Sequence, residues 1–215
     1  MSLTIRAFPA GPIETNAFLL TDQETNRALI IDAPMDVTET ILAAADEAGT
    51  TIERIVITHT HWDHIGDAAL LKERSHAPMA AHPLAVERMA SPGSATMELP
   101  FEILGSTPDE LLNEGDAVSL GEHRFAVMHL PGHEVAHTVL YSEPDRMFLG
   151  GDVLFPNGHG RTDIPGSDQE TMNRSLARLL DLPDDVVVYP GHGEPTTIGR
   201  ERTWMEGLRR YRSDS

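Results

Sequence analysis

The chain contains no cysteine in its 215 residues. Disulfides, thiolate metal sites and a cysteine nucleophile are therefore excluded together. Any metal must be bound by histidine, by carboxylate or by both. Basic residues are also scarce, with 16 Lys and Arg against 34 Asp and Glu, for a net charge of −18. Phosphate backbones and anionic lipid headgroups normally need clustered basic residues, so we expect neither nucleic acid nor a membrane as a partner.

Long hydrophobic runs are absent as well. No apolar stretch is long enough to cross a bilayer, and no apolar segment follows a basic N-terminus, so we expect a soluble cytoplasmic protein. The chain is 40% hydrophobic, which is enough to bury a substantial core at this length. No linker divides it, and a single domain over residues 1–215 is predicted. The sequence leaves the oligomeric state open.

Strand and helix patterns alternate in both halves of the chain, which predicts an α/β sandwich with helix layers covering sheet. The first helix is predicted to begin near Asp36, because Asp36 and Glu39 have the spacing of a capping box. Residues 90–114 are rich in Pro, Gly and Ser and predict a long surface loop. Four of the predicted strands matter most for function, at 52–57, 125–130, 146–149 and 186–189.

Histidines and aspartates follow each of these four strands. The first strand is followed by THTHWDHIGD, the others by the motifs LPGH, LGGD and PGHG. If the strands share one sheet and point the same way, these motifs meet at one edge, where ligand sites commonly form. The candidate ligands are His59, His61, Asp63, His64, His133, Asp152 and His192.

The spacing within the first motif predicts two metal ions. His59 and His61 are two apart in an extended segment and project to the same side, so they can bind one ion together. Asp63 and His64 begin the following helix and face a different direction, which suits a second ion. Seven ligands also exceed the four of a tetrahedral zinc. The alternative, histidines and aspartates that only pair with one another in a polar loop, would bury many unpaired ionisable groups at high cost.

The combination HxHxDH, His133, Asp152 and His192 resembles the metallo-β-lactamase superfamily, from about residue 8 to the last predicted helix. The resemblance implies a four-layer αββα sandwich with the metal site at one edge. It also implies a ligand set in which His59, His61 and His133 bind the first metal, Asp63, His64 and His192 bind the second, and Asp152 bridges them.

The branch that the chain resembles is the short glyoxalase II-like, or hydroxyacylglutathione hydrolase-like, group. A bridging aspartate without cysteine is typical of it, and the segment GRTD at 160–163 resembles one shared with the persulfide dioxygenases. The motif PGHG at 190–193 is closer to the hydrolases. Full-length glyoxalase II carries a C-terminal helical domain that contacts glutathione, whereas this chain ends soon after His192, so the resemblance leaves recognition of glutathione open.

The resemblance implies a binuclear hydrolase of thioesters or other small ester-like substrates. Two divalent ions lower the pKa of a shared water toward about 7, so the predicted nucleophile is a metal-bound hydroxide. Zinc is preferred, with iron or manganese as alternatives. Asp63 is predicted to orient the hydroxide and accept its proton as well as to bind metal. Weaker candidates, as supports of the ligands or as substrate-loop residues, are Asp32, His137, Arg161 and Asp163.

Two other functions remain open from the sequence. A mononuclear non-haem iron persulfide dioxygenase would use His59, His133 and Asp152 as a facial triad, leaving the other candidates without metal. A non-catalytic metal-binding module is the third possibility, although structural zinc sites are usually closed by four ligands and gain nothing from a second metal.

Overall fold

The computed structural model describes residues 3–92 and 102–211. Its strands are β1 (Leu3–Ala10), β2 (Thr15–Asp22), β3 (Arg27–Ile31), β4 (Thr51–Val56), β5 (Met79–Ala81), β6 (Glu110–Leu111), β7 (Ala117–Leu120), β8 (His123–His129), β9 (Thr138–Ser142), β10 (Met147–Gly151), β11 (Leu154–Phe155), β12 (Gly158–His159), β13 (Val187–Pro190) and β14 (Thr196–Thr197). Its α-helices are α1 (Thr38–Glu47), α2 (Trp62–Ile65), α3 (Ala68–Ser75), α4 (Val86–Ala90), α5 (Gln169–Leu179) and α6 (Ile198–Met205). Short 3₁₀ helices cover Pro83–Ala85 and Glu206–Tyr211.

The strands form two mixed sheets of six and a two-stranded ribbon. The first sheet has the order β1-β2-β3-β4-β5-β6, the second has the order β14-β13-β10-β9-β8-β7, and β11 pairs with β12 in the ribbon. In the first sheet β3, β4 and β5 are parallel neighbours. In the second, β9 is antiparallel to β8 and β10, and β10 is parallel to β13. The strands β8, β10 and β13 therefore point the same way.

Three apolar clusters separate the layers, because successive strand residues face opposite sides of a sheet. Leu19 and Ile30 pack with Ile41 of α1 on the outer face of the first sheet. Their neighbours in β2 and β3 pack between the two sheets, against residues such as Phe125 of β8. The outer face of the second sheet packs against α5 and α6 through a third cluster that includes Leu176. This layering confirms the predicted αββα sandwich.

Three predictions about local structure need correction. The four ligand motifs do not follow strands of one sheet, because β4 lies in the first sheet and β8, β10 and β13 lie in the second. Asp36 does not cap α1; it has a left-handed φ of 65°, and the backbone N–H and hydroxyl of Thr38 donate instead to Asp67. The predicted loop at 90–114 contains β6, which adds parallel to β5, and its residues 93–101 lie outside the described part of the chain.

Within residues 3–92 and 102–211, no helix combines the length and the apolar character needed to cross a bilayer.

Candidate metal centre

The seven predicted ligands lie together where strand ends of the two sheets meet. His59 and His61 follow β4, and α2 begins immediately afterwards and carries Asp63 and His64. The remaining three follow β8, β10 and β13. Their ligand atoms form three overlapping groups, each with atoms within 4.8 Å of one another. These groups are His59–His61–His133, His59–His64–Asp152 and Asp63–His64–His192.

The first group consists of three imidazoles. His61 Nδ1 lies 3.1 Å from His59 Nε2 and 2.7 Å from His133 Nε2. His59 and His133 are almost fully buried. Neutral imidazole is a common ligand of zinc, copper and iron, so three converging ring nitrogens form a suitable donor set for such an ion.

The second donor group, Asp63–His64–His192, is built around the carboxylate of Asp63. Its Oδ2 lies 3.3 Å from His64 Nε2 and 3.2 Å from His192 Nε2. The same oxygen accepts a hydrogen bond of 2.8 Å from the Thr15 hydroxyl. Asp63 is held in place by β2 as well as by its own helix.

Asp152 lies between the two groups. Its Oδ2 is 3.3 Å from His133 Nε2 and 3.6 Å from His192 Nε2, and its Oδ1 is 3.3 Å from His64 Nε2. One carboxylate therefore reaches histidines of both groups with its two oxygens.

Hydrogen bonds on the far side of the rings fix which nitrogen carries the proton. His133 Nδ1 donates to the Arg161 carbonyl at 2.8 Å, and His192 Nδ1 donates to the Ile13 carbonyl at 3.3 Å. A carbonyl can only accept, so in the neutral rings the Nε2 atoms are left with lone pairs. His64 Nδ1 lies 2.7 Å from Asp32 Oδ2 and follows the same rule. These lone pairs face the centre of the cluster, as metal ligation requires.

Two buried polar atoms of the seven candidate ligands lack a hydrogen-bond partner among the described residues. They are His64 Nε2 and Asp152 Oδ1, which lie at ion-pair distance without hydrogen-bond geometry. Unsatisfied buried polar atoms are rare and need an explanation. A divalent cation would satisfy both atoms, so the residues present fit a metal ion.

The pKa values within the cluster reflect burial and charge together. Burial lowers the pKa of His59 to well below its usual value and that of His61 to about 3, and the neighbouring histidines add to the effect. Burial also tends to lower the pKa of His64, but Asp63, Asp32 and Asp152 raise it well above its usual value. Without a metal ion, the excess negative charge around His64 is balanced by a proton, which a cation can replace.

Asp32 supports the cluster from behind. Its Oδ2 accepts from His64 Nδ1 and from the Thr58 hydroxyl, and its Oδ1 accepts from the Thr58 backbone N–H at 2.7 Å. The Thr58 hydroxyl also lies 3.1 Å from His59 Nδ1. Because this hydroxyl donates to Asp32, it accepts from His59. Asp32 thus orients one histidine directly and a second through Thr58.

A cavity of about 580 Å³ opens above the cluster. His61, Asp63, His133, Asp152 and His192 reach it from the cluster side. Its other walls are largely apolar, formed by Ile13, Trp62, Pro92, Phe155, Ile164 and Pro165. Ligand sites of this size typically combine apolar walls with a few convergent polar groups.

Comparison with protein families matches residues 10–192 to the family model "Metallo-beta-lactamase superfamily". The chain belongs to the metallo-beta-lactamase superfamily. This confirms the resemblance inferred from the motifs and places the chain among families that consist mostly of hydrolases and other metalloenzymes.

Relatives of known sequence align with nearly the whole length of this superfamily member, and two of them show this by identity and coverage. An uncharacterized protein from Aquifex aeolicus is 35% identical over an alignment of 210 residues, with 94% of this chain and 95% of the relative covered. Hydroxyacylglutathione hydrolase GloC from Haemophilus influenzae is 32% identical over 213 residues, with 93% and 95% of the two chains covered.

Three solved structures of the superfamily show the same fold. BLEG-1 B3 metallo-beta-lactamase matches with a TM-score of 0.86 and 30% identity over 96% of this chain and all of the other. ETHE1 from Myxococcus xanthus matches with a TM-score of 0.77 and 26% identity, covering 94% and 83% of the two chains. TTHA1623 in a di-iron-bound form matches with a TM-score of 0.72 and 34% identity, covering 92% and 96%.

The weaker candidates have distinct places around the superfamily site. His137 is fully buried, its Nε2 accepts from the Asp152 backbone N–H at 3.0 Å, and its ring stacks on His59 with centroids 4.5 Å apart. Arg161 contributes its carbonyl to His133, while its side chain pairs with Asp163 through two hydrogen bonds. Asp163 is largely exposed, and both of its carboxylate oxygens accept from the Arg161 side chain.

Several residues at the site were not predicted from the sequence. Thr15 binds Asp63, and the Asn16 side chain donates to the carbonyls of Pro190 and Gly193, on either side of the turn that carries His192. Gly191 is also required, because a Cβ there would lie 2.2 Å from Asp152 Oδ1. The glycine in the motif PGHG was visible in the sequence, but Thr15 and Asn16 gave no local signal.

Replacing Asp32 with asparagine tests the support of His64. The amide keeps the size of the side chain but has one acceptor oxygen instead of two, so the bonds to His64 Nδ1 and to both Thr58 groups cannot all be kept. We expect metal affinity to fall about 10- to 100-fold, the usual effect of losing such a partner. Competition with a chromophoric chelator measures this affinity. An affinity equal to wild type would show that Asp32 does not orient the ligand.

The metal-free protein should become less stable as the pH falls below 6.5. The pKa of each of four cluster histidines is lowered in the folded state, with burial as the largest cause, whereas unfolded histidine titrates near 6.5. Below this value the unfolded chain binds more protons, so the free energy of unfolding decreases. The four are His59, His61, His133 and His137.

Two other histidines have raised pKa values, but they do not cancel this loss of stability at low pH. The pKa values of His64 and His192 are raised, so both are protonated in the folded and the unfolded state below pH 6.5. Urea unfolding at pH 6.5, 5.5 and 4.5 should give a slope steeper than about 1.4 kcal/mol per pH unit, the value for one proton. A flat or rising stability toward pH 4.5 would contradict the burial of neutral histidines.

Proposed function

We propose that the chain is a binuclear metal-dependent hydrolase of thioesters or other small ester-like substrates. The observation that carries this proposal is the arrangement of two donor groups with Asp152 between them, at one side of a cavity with apolar walls. A single structural ion would need only four ligands, whereas the cluster provides seven. The relative named hydroxyacylglutathione hydrolase supports the thioester as the scissile bond.

The first ion would be held by His59, His61 and His133, and the second by Asp63, His64 and His192. Asp152 would contribute a carboxylate oxygen to each. Histidine and carboxylate donors suit zinc, iron and manganese, of which we prefer zinc, and the di-iron form of TTHA1623 supports two ions per chain. When bound, such ions polarise a carbonyl and make water acidic enough to attack at neutral pH.

The residues of the chain perform three tasks in this scheme. Asp63 orients the attacking water and accepts its proton, and the hydrogen bond from Thr15 fixes its carboxylate. Trp62 and Phe155 form apolar walls that exclude bulk water from the reacting carbonyl. His137 accepts a hydrogen bond from the backbone N–H of Asp152 and so fixes the position of the Asp152 carboxylate relative to the histidines.

The second candidate, a mononuclear iron dioxygenase, would use only His59, His133 and Asp152. It would leave Asp63, His64 and His192 without an ion, although their ligand atoms lie within 4.8 Å of one another. It would also leave the His64 Nε2 atom without its bond. These three side chains therefore favour the hydrolase, acting on a small molecule. A cytoplasmic location is part of the same proposal.

Metal analysis combined with two activity assays tests the proposed function. Protein purified without chelator should contain about two metal ions per chain and release thiol from an acyl-glutathione or acyl-N-acetylcysteamine thioester. An oxygen electrode should record no oxygen uptake with glutathione persulfide. One iron per chain together with oxygen uptake would replace the hydrolase with the dioxygenase. Tight metal binding without turnover of thioesters, lactones or phosphodiesters would favour the non-catalytic module.

A further inference from the structure

Charge is unevenly distributed around the cavity. Among the described residues, the acidic residues that line it are Asp63 and Asp152, and both belong to the candidate metal centre. Two arginines of this part of the chain line it as well, Arg88 and Arg161. In a chain with a net charge of −18, arginines in a cavity are a specific local feature and do not reflect the composition.

The two arginines differ in how their charge is used. Arg161 is largely exposed and forms two hydrogen bonds with both oxygens of Asp163, at 2.9 and 3.0 Å. A carboxylate already occupies the fork of its guanidinium. This pairing leaves little of the group for a substrate.

Arg88 is held differently. Its Nη1 donates to Glu134 Oε1 at 2.8 Å, and Glu134 is 1% exposed while the Arg88 side chain is 26% exposed. The other oxygen of Glu134 accepts from the Ala136 backbone at 3.1 Å. Glu134 directly follows His133, so the guanidinium is fixed relative to the loop that carries a candidate ligand.

The guanidinium of Arg88 retains donors for a ligand. Among the described residues, Nη1 is its only nitrogen with a hydrogen-bonded partner. An arginine side chain has five N–H donors in a planar fork, which matches the geometry of a carboxylate. A single contact from a buried glutamate orients this fork without filling it.

We propose that Arg88 binds the carboxylate of an anionic substrate and determines the specificity of the site. This inference rests on the proposed function and names its substrate class, a thioester that carries a carboxylate on its acyl or its thiol part. Binding the remote anion orients the scissile carbonyl at the metal centre, which is how contacts away from the reacting bond contribute to rate.

Matched thioesters test the role of Arg88. Succinyl and butanoyl thioesters of N-acetylcysteamine differ in a carboxylate on the acyl part, and butanoyl thioesters of 3-mercaptopropionate and N-acetylcysteamine differ on the thiol part. The wild type should prefer the charged member of at least one pair in kcat/KM. In Arg88→Gln that preference should fall about 10- to 100-fold, mainly through KM, as expected for losing a charged hydrogen bond. Equal losses for charged and neutral substrates would overturn the proposal.

Two control variants sharpen the result. Arg174→Gln removes an exposed arginine that pairs with Glu170 and does not line the cavity, so the preference should remain. Arg161→Gln should reduce the preference for charged thioesters by less than Arg88→Gln does. If the preference for charged thioesters is lost in Arg161→Gln and kept in Arg88→Gln, the substrate carboxylate binds Arg161 and the proposal is refuted.

Two further measurements distinguish an effect of the Arg88 substitution on substrate binding from effects on folding or catalysis. Because Arg88→Gln leaves Glu134 buried without its partner, the double variant with Glu134→Gln removes both charges and should show the same loss of preference. Calorimetry of metal-free protein with ketone analogues, in which a methylene replaces sulfur, measures binding without turnover. Wild type should bind the charged ketone at least tenfold more tightly than the neutral one, and Arg88→Gln should not. If no thioester is hydrolysed, the proposed function fails while this binding preference still decides the role of Arg88.

Discussion

Asp152→Ala should reduce the metal content from about two ions to about one per chain and lower thioester hydrolysis by on the order of 10³-fold. The expected loss is large because each metal contributes several kcal/mol of charge stabilisation, and each 1.36 kcal/mol is tenfold in rate. Asp152 is the carboxylate that reaches His133 with one oxygen and His64 with the other. Elemental analysis after gel filtration and a thiol-release assay measure the two quantities.

The electrostatics around Asp152 support this expectation. Burial raises the pKa of Asp152, but the neighbouring histidines, above all His64, lower it to about 2. The group is therefore ionised at neutral pH and ready to bind cations. Asp46→Ala, in an exposed part of α1, is a suitable control and should leave both quantities unchanged. Two ions still bound in Asp152→Ala would refute the bridging role.

The local part of the fold was predictable because it follows from short-range patterns. Residue alternation identified the strands that precede the ligand motifs, including β4 and β10. The partition of strands between two sheets was not predictable in the same way, because β4 and β8 are separated by more than sixty residues and no local signal states which strands pair. The assumption of one sheet was wrong, although both sheets direct their ligand motifs to the same edge.

The candidate ligands were identifiable from spacing, whereas their supports were not. Asp32 was predicted as a possible support of the ligands, but its pairing with His64 was not identified from the sequence. Thr15 and Asn16 contact residues 48 and 174 positions away, and neither threonine nor asparagine is unusual after a turn. Glu134 was missed because a single carboxylate next to a histidine motif does not reveal that folding will bury it.

Asp63→Asn should lower hydrolysis about 10²- to 10⁴-fold, the usual contribution of a positioned general base, while removing much less of the bound metal. Asparagine keeps the shape of the side chain and one oxygen that can bind metal and accept from Thr15, but it cannot accept a proton. Burial raises the pKa of the Asp63 carboxylate, whereas His64, His192 and Thr15 lower it by more, so the native group is ionised at neutral pH.

The comparison of rate with metal content decides between the two roles of Asp63. Elemental analysis and single-turnover hydrolysis should be measured on the same preparation of Asp63→Asn, with Asp46→Asn as the matched control on an exposed part of α1. A rate that falls far below the metal content identifies Asp63 as the proton acceptor. If rate and metal content fall together, the carboxylate acts only as a ligand, and the proton must leave the attacking water by another route.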